Sequence, residues 1–426
     1  MNKIAFGTDG IRGIYGTTLT ENTAFCLGAA LGKEGELLLG RDNRPSSPAL
    51  ARAFICGAAS VGGRVRAVGV ITTPALYYLL SISSCAYAVM ITASHNPPSH
   101  NGLKVFTKRG KLMESERREI EREASAVTPV PCGGFPLKEE HDFAPYINYL
   151  KSKIGRLDGV TAVVDYAGGA GSALQGLYEG MGAKVIPLNA REDGARINEG
   201  CGALYPNACL KEVKASDADL GISIDGDGDR IIATTKDGKI LDGDMITYLL
   251  ACRMRRKGAL NRNRVAMTVM TNGGVLKSLT KQGITPVSCA VGDAALAETM
   301  RAEGLNLGGE QSGHVILGDY LPTGDGLLVG AVLLKSILED GALSRTPPPE
   351  VYPQVQLNLP VRDRSVASDP DVQALALRLK EELKDARILV RASGTENLVR
   401  IMVEHPSAAL AKSAALRLKE EVLKRA

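Results

Sequence analysis

Short apolar runs recur along this chain, each followed by a glycine-rich or polar loop, an amphipathic stretch with helical spacing and a second apolar run. The first copy runs from Leu37-Leu38-Leu39-Gly40-Arg41-Asp42 through a helical pattern over residues 49–61 to Arg64-Val65-Arg66-Ala67-Val68. The second joins Ala162-Val163-Val164-Asp165 to Ala183-Lys184-Val185-Ile186, with a helix predicted over 173–181. The third joins Val265-Ala266-Met267-Thr268-Val269-Met270 to Ile284-Thr285-Pro286-Val287, with a helix over 275–281. Strand–helix–strand units of this length imply parallel pairing through right-handed crossovers. Three such units in tandem predict three similar α/β domains. The tail differs. Past Pro347-Pro348-Pro349 come strands at 355–359, 387–391 and 399–404 and helices at 372–383 and 408–424, an order that suits a smaller α+β domain. The boundaries expected are 1–140, 141–242, 243–346 and 347–426.

Composition narrows the class. A chain of 426 residues exceeds one hydrophobic core, and 44% hydrophobic with 23% charged residues is ordinary for a globular protein. A net charge of +4 gives no support for a nucleic-acid or membrane-surface partner. No apolar stretch reaches transmembrane length, and the N-terminus turns polar at Gly7-Thr8-Asp9, unlike a signal peptide. None of the eight cysteines has C-x-x-C spacing, and most sit in apolar runs, so all eight are expected as buried free thiols. That usage predicts a cytoplasmic protein.

Five loops carry polar chemistry. Asp225-Gly226-Asp227-Gly228-Asp229-Arg230 follows a strand over 218–224, so it lies where α/β proteins place ligands. Alternating carboxylates separated by glycines can converge on one hard cation, and Mg²⁺ suits a few carboxylates plus a phosphate oxygen. The EF-hand pattern fails, because Arg230 and Lys236 stand where glycine and glutamate are required. Thr92-Ala93-Ser94-His95-Asn96-Pro97 also follows a strand, over 86–91; taken alone, its serine is an ordinary turn former. No Gly-x-Ser-x-Gly elbow surrounds Ser94. Arg391-Ala392-Ser393-Gly394-Thr395-Glu396, with Arg400 nearby, can wrap a phosphate, or serve simply as a hairpin turn. Gly7-Thr8-Asp9-Gly10-Ile11-Arg12-Gly13 is a second glycine-rich loop with an arginine, and Gly309-Glu310-Gln311-Ser312-Gly313-His314 has the donors and acceptors to read sugar hydroxyls.

Taken in this order, these segments resemble the α-D-phosphohexomutase superfamily over essentially the whole chain. The Glu310-Gln311-Ser312-Gly313-His314 loop is similar to its glucosamine branch, as are Ile197-Asn198-Glu199-Gly200-Cys201-Gly202 and Thr323-Gly324-Asp325-Gly326-Leu327. The resemblance implies four domains in a heart-shaped arrangement around a cleft. It implies a phosphorylated Ser94 that exchanges its phosphoryl group with a sugar phosphate through a 1,6-bisphosphate. One Mg²⁺ would be held by Ser94, Asp225, Asp227 and Asp229. Lys104 is implied as the general acid/base, Arg12 and His95 as contacts of the transferring group, and Glu310, Ser312 and Arg230 as substrate contacts. Arg391, Ser393, Gly394, Thr395 and Arg400 would hold the non-reacting phosphate. The implied partners are a small-molecule sugar phosphate and a glucose or glucosamine 1,6-bisphosphate activator, with no nucleic acid and no membrane; the chain is expected as a monomer or homodimer.

Three positions depart from the family pattern: Pro98-Ser99-His100 after the serine loop, Ala294 where the glucosamine branch carries arginine, and Asn397 where proline is common. The competing expectations are a mutase of neutral hexose phosphates and a non-catalytic phosphosugar-binding paralogue.

Overall fold

The computed structural model describes residues 4–7, 10–132, 135–341, 345–393 and 397–425. It is mixed α/β with four sheets. In the first, the strand order is Ile11–Ile14, His100–Thr107, Tyr87–Ile91, Glu36–Arg41, Arg64–Val70, and Gly110–Lys111 pairs with His100–Thr107. Glu36–Arg41 runs parallel to both its neighbours, whereas His100–Thr107 is antiparallel to all three of its own. Leu37, Leu38 and Leu39 are all at most 1% exposed, as expected for a strand covered on both faces. Complete burial of each such side chain contributes about 1.5–3 kcal/mol.

The second sheet runs Ile240–Leu241, Ile231–Thr235, Leu220–Ile224, Thr161–Asp165, Lys184–Leu188. The third contains Thr285–Cys289, Arg264–Thr268, Leu307–Gly309 and Val315–Leu317 in that order. The fourth is antiparallel, Gln354–Pro360, Leu398–Glu404, Arg387–Ala392, backed by helices Pro370–Glu382 and Ala408–Leu423. The two strands of each predicted unit are therefore neighbours, inside sheets that also carry antiparallel strands.

The chain divides into two compact units. The larger comprises Met1–Val269 and Val287–Thr346; the smaller comprises Met270–Pro286 and Pro347–Ala426. In the smaller unit, helix Gly273–Lys281 is fastened to the C-terminal segment. Tyr352 N donates to Asn272 Oδ1 at 2.9 Å, Glu350 N donates to Ser278 Oγ at 2.8 Å, and Gly273 N donates to the buried Glu404 at 2.8 Å.

Two expectations are corrected. Residues 173–181 do not form a helix; two 3₁₀ turns, Ala170–Leu174 and Glu179–Met181, stand there instead. Gly176, at φ +86°, puts left-handed backbone into the stretch, which an α-helix cannot absorb. The cysteines are not all free. Cys26, Cys85, Cys201, Cys209, Cys252 and Cys289 are buried thiols, but Cys56 and Cys132 form a disulfide with their Cα atoms 6.1 Å apart. Cys56 lies on helix Ser47–Ser60 and Cys132 lies 76 residues further on, so only the path of the chain brings them together. No helix among the described residues is long and apolar enough to cross a membrane.

Candidate active site

The polar loops of the larger unit converge because each leaves the end of a buried strand. Tyr87–Ile91 delivers Ser94, and Leu220–Ile224 delivers the aspartates. Glycine is required in the second loop. A Cβ on Gly226 would stand 2.6 Å from the Ser94 carbonyl oxygen, and Gly228 has φ +75° with Thr72 2.8 Å from where its Cβ would be. Ser94 is itself in the left-handed region, φ +53°, and is 1% exposed. Its Oγ donates to Asp225 Oδ2 at 2.6 Å and lies 3.4 Å from His95 Nδ1. Its backbone N donates to Thr92 Oγ1 at 2.9 Å.

Lys104, on the antiparallel neighbour of the Ser94 strand, is buried and donates through Nζ to Asp227 Oδ2 at 2.8 Å and Asp229 Oδ2 at 2.9 Å. Thr73 Oγ1 donates to Asp227 Oδ2 at 2.6 Å. Arg230 donates its backbone N to Asp225 Oδ1 at 3.2 Å, and its Nε lies 3.9 Å from Asp229 Oδ1. Burial, reinforced by Asp229 and Asp227, pushes the Asp225 carboxyl well above the usual carboxylate range. His95 is pushed down to about 4 by burial and by the guanidinium groups of Arg230 and Arg12, so its imidazole is neutral at pH 7. Arg12 sits on strand Ile11–Ile14 opposite Gly102, two residues before Lys104.

The donor set fits a hard divalent cation. Oxygens of Asp225, Asp227 and Asp229 lie within 4.8 Å of one another, and Asp227 Oδ1 is buried with no hydrogen-bond partner among the described residues. Three clustered carboxylates with an oxygen left open are stabilised by an ion that accepts oxygen ligands. Asp229, Asp293 and His314 form a second close group, but there Lys111 pairs with Asp293 and His314 Nε2 accepts from Gly324 N at 3.3 Å.

The loop 309–314 is anchored beside the aspartates, where Ile231 N donates to Gly313 O at 2.9 Å; the start of helix Gly326–Asp340 is held to the same loop of aspartates by Gly326 N, which donates to Gly228 O at 2.9 Å. Glu310, 8% exposed, accepts from Ser312 Oγ and, at 3.4 Å, from Gly292 N. Ala294 lines a cavity of about 1340 Å³ that also reaches Asp293, Lys111 and His314. Lys111 thus places a cation beside the position that lacks arginine.

The smaller unit carries the other predicted residues. Arg391 and Arg400 stand directly opposite on adjacent strands, Arg391 exposed and Arg400 half-buried. Like charges in a cross-strand pair repel, and an anion between them would offset that repulsion. Ser393 is 3% exposed, with its backbone held by Leu398 O, yet its Oγ has no hydrogen-bond partner among the described residues. Gly394 and Thr395 lie outside the described residues. Thr73, Asn198 and Arg44 were missed as site residues. Thr73 follows strand Arg64–Val70 and precedes a proline at a helix start, a strand-end position that marks it as a candidate. Asn198 and Arg44 hold the serine loop itself, at distances given below.

The family description phosphoglucomutase/phosphomannomutase, alpha/beta/alpha domain I matches residues 3–130; its domain III matches 242–350 and its C-terminal domain 357–421. Phosphoglucosamine mutase of Brevibacillus brevis is 41% identical over 95% of each chain, and that of Corynebacterium diphtheriae is 40% identical over 98% of this chain and 99% of its own. Among solved structures, a phosphoglucomutase/phosphomannomutase family protein from Burkholderia thailandensis superposes with a TM-score of 0.81 at 24% identity, covering 99% of this chain and 98% of that one.

Proposed function

This chain belongs to the phosphoglucomutase/phosphomannomutase family, and from that premise we propose that it is a phosphoglucosamine mutase, an isomerase interconverting glucosamine 6-phosphate and glucosamine 1-phosphate. The observation that carries this reading is the buried Ser94 hydroxyl, 2.6 Å from Asp225 within a cluster of three carboxylates and Lys104. Phospho-Ser94 gives its phosphoryl group to a free hydroxyl of the sugar phosphate. The bond from phosphorus to the serine oxygen breaks, one to the sugar oxygen forms, and Lys104 carries the hydroxyl proton towards Ser94. The resulting 1,6-bisphosphate returns its other phosphate to Ser94 by the reverse step. Mg²⁺ held by Ser94, Asp225, Asp227 and Asp229 would offset the charge on the transferring group. The chain's own part is positioning. Arg12 and Arg230 face the transferring group, and neutral His95 orients the loop rather than adding positive charge. Glu310 and Ser312 read the sugar; Arg391, Ser393, Gly394, Thr395 and Arg400 hold the phosphate that is not reacting. The relatives named phosphoglucosamine mutase, at about 40% identity over nearly the full chain, favour the amino sugar.

Intact-mass measurement after treatment with glucose 1,6-bisphosphate tests the mechanism: one phosphate on Ser94 is expected, and its complete absence refutes the reading. Turnover on glucosamine, glucose and mannose 6-phosphates tests the substrate. The amino sugar is expected to be fastest, and equal or faster rates on the neutral sugars would overturn the assignment.

A further inference from the structure

Arg44 is an arginine with no surface at all. It is 0% exposed, as is its carboxylate partner Asp42, whose Oδ2 accepts from Arg44 Nε at 2.8 Å. A guanidinium has five N–H donors, and here each has an acceptor. Beyond the carboxylate, Nη2 donates to Ser94 O at 2.9 Å and Asn96 O at 2.8 Å, while Nη1 donates to His100 O at 2.9 Å and to Pro97 O. One side chain therefore collects four carbonyls of the loop 94–100. Asp42 is fixed in turn: its Oδ1 accepts from Ser47 Oγ at 2.8 Å and Arg44 N at 3.1 Å, and its Oδ2 also accepts from Thr92 Oγ1 at 2.7 Å.

The second clamp is Asn198, 104 residues further along the chain than Ser94. Asn198 Nδ2 donates to Ser94 O at 2.8 Å and Asn96 O at 3.1 Å. The Ser94 carbonyl thus receives two donors, on a peptide whose residue has φ +53°. Left-handed backbone is unfavourable for serine and persists only where its surroundings over-determine it. Any relaxation of that turn would cost both bonds to a buried carbonyl and would swing Oγ away from Asp225.

We infer that Arg44, braced by Asp42 and assisted by Asn198, is a positioning residue for phosphoryl transfer: it holds Ser94 in its left-handed turn so that Oγ faces the aspartates. The inference rests on the proposed role of Ser94 as phosphoryl carrier. Lysine at this position keeps the charge but has three donors on a point charge, so it cannot serve Asp42 and four carbonyls at once.

The test compares wild type, Arg44→Lys and Asn198→Ala, each first checked for cooperative thermal unfolding. The rate of Ser94 phosphorylation by glucose 1,6-bisphosphate is followed by intact mass. Mutase kcat and KM are measured, and the ³¹P resonance of the phosphoserine is recorded. Misplacement of the acceptor oxygen predicts kcat lower by about 100-fold in Arg44→Lys and about 10-fold in Asn198→Ala, with KM within about threefold and a shifted or broadened ³¹P line. Wild-type phosphorylation rate and ³¹P line in a folded Arg44→Lys, or a loss confined to KM, would overturn the inference alone. If Arg44→Lys does not fold, Asn198→Ala decides by the same criteria. A wild-type protein that never takes phosphate on Ser94 refutes the mutase reading, and the inference with it.

Discussion

The two polar centres of this protein are built in opposite ways. Around Ser94 the serine, the three aspartates, Lys104, Thr73 and Arg44 are all buried and multiply bonded: the Ser94 carbonyl has two donors, Lys104 bridges two aspartates, and Thr73 holds one of them. Around Ser393 the arginines are half-buried or exposed, set opposite one another on adjacent antiparallel strands, and the serine hydroxyl has no hydrogen-bond partner among the described residues. The contrast follows from what each centre is proposed to do. Bond exchange at phosphorus depends on sub-ångström placement of oxygens, which requires a shell that cannot relax. Capturing a phosphate requires charge and donors, which a solvated hairpin supplies without rigidity.

If that division holds, damage to the first centre appears in kcat and damage to the second in KM. Ser94→Ala is expected to show the largest effect, loss of activity by at least roughly 10⁴-fold with an unchanged thermal midpoint, measured by coupled assay and circular dichroism. Near-normal turnover in that variant would remove Ser94 from the mechanism. Asp227→Asn weakens the donor set at the oxygen that has no other partner. Mg²⁺ affinity and kcat are each expected to fall by about 100-fold, read by isothermal titration and steady-state kinetics. Chelation of the wild-type enzyme should abolish turnover and Mg²⁺ should restore it.

Arg391→Ala is expected to raise KM for the sugar phosphate by about 10-fold with kcat within a factor of about three. A collapse of kcat at constant KM would show that the two centres are not divided in this way.

A last expectation is read in stability and concerns a support of the metal loop. Asp325 caps helix Gly326–Asp340 through Leu328 N at 3.0 Å, accepts from Tyr146 at 2.7 Å, and has its carboxyl pushed up to about 6 by burial. The folded protein therefore holds this proton more tightly than the unfolded chain does. The stabilisation is complete below about pH 4 and is lost as pH rises through about 6, by up to roughly 3 kcal/mol. Relative to Asp325→Asn, wild type should lose unfolding free energy between those values in denaturant titrations. Parallel pH profiles for the two proteins would refute the assignment.

Much of the fold was legible. Strands at 37–41, 162–165, 265–268 and 399–404 follow from apolar runs, because burial on both faces leaves little room for polar residues. The stretch 173–181 misled because its apolar spacing is helical while Gly176 within it is left-handed, and local backbone geometry prevailed.

The site divides along the same line. Alternation of carboxylate and glycine at 225–229 is a local pattern, so sequence alone determined that these aspartates can share a cation. It also marked the arginines of the 391–400 hairpin and the sugar-reading composition of 309–314. What only the tertiary structure decided is which groups meet across long separations. Ser94 lies 131 residues from Asp225, Lys104 123 from Asp227, Arg44 50 from Ser94, and Cys56 76 from Cys132. A turn serine and a strand-end arginine have nothing in their neighbours to mark them. Their meaning comes from sheet order and buried hydrogen bonds, which are properties of packing and not of any local window.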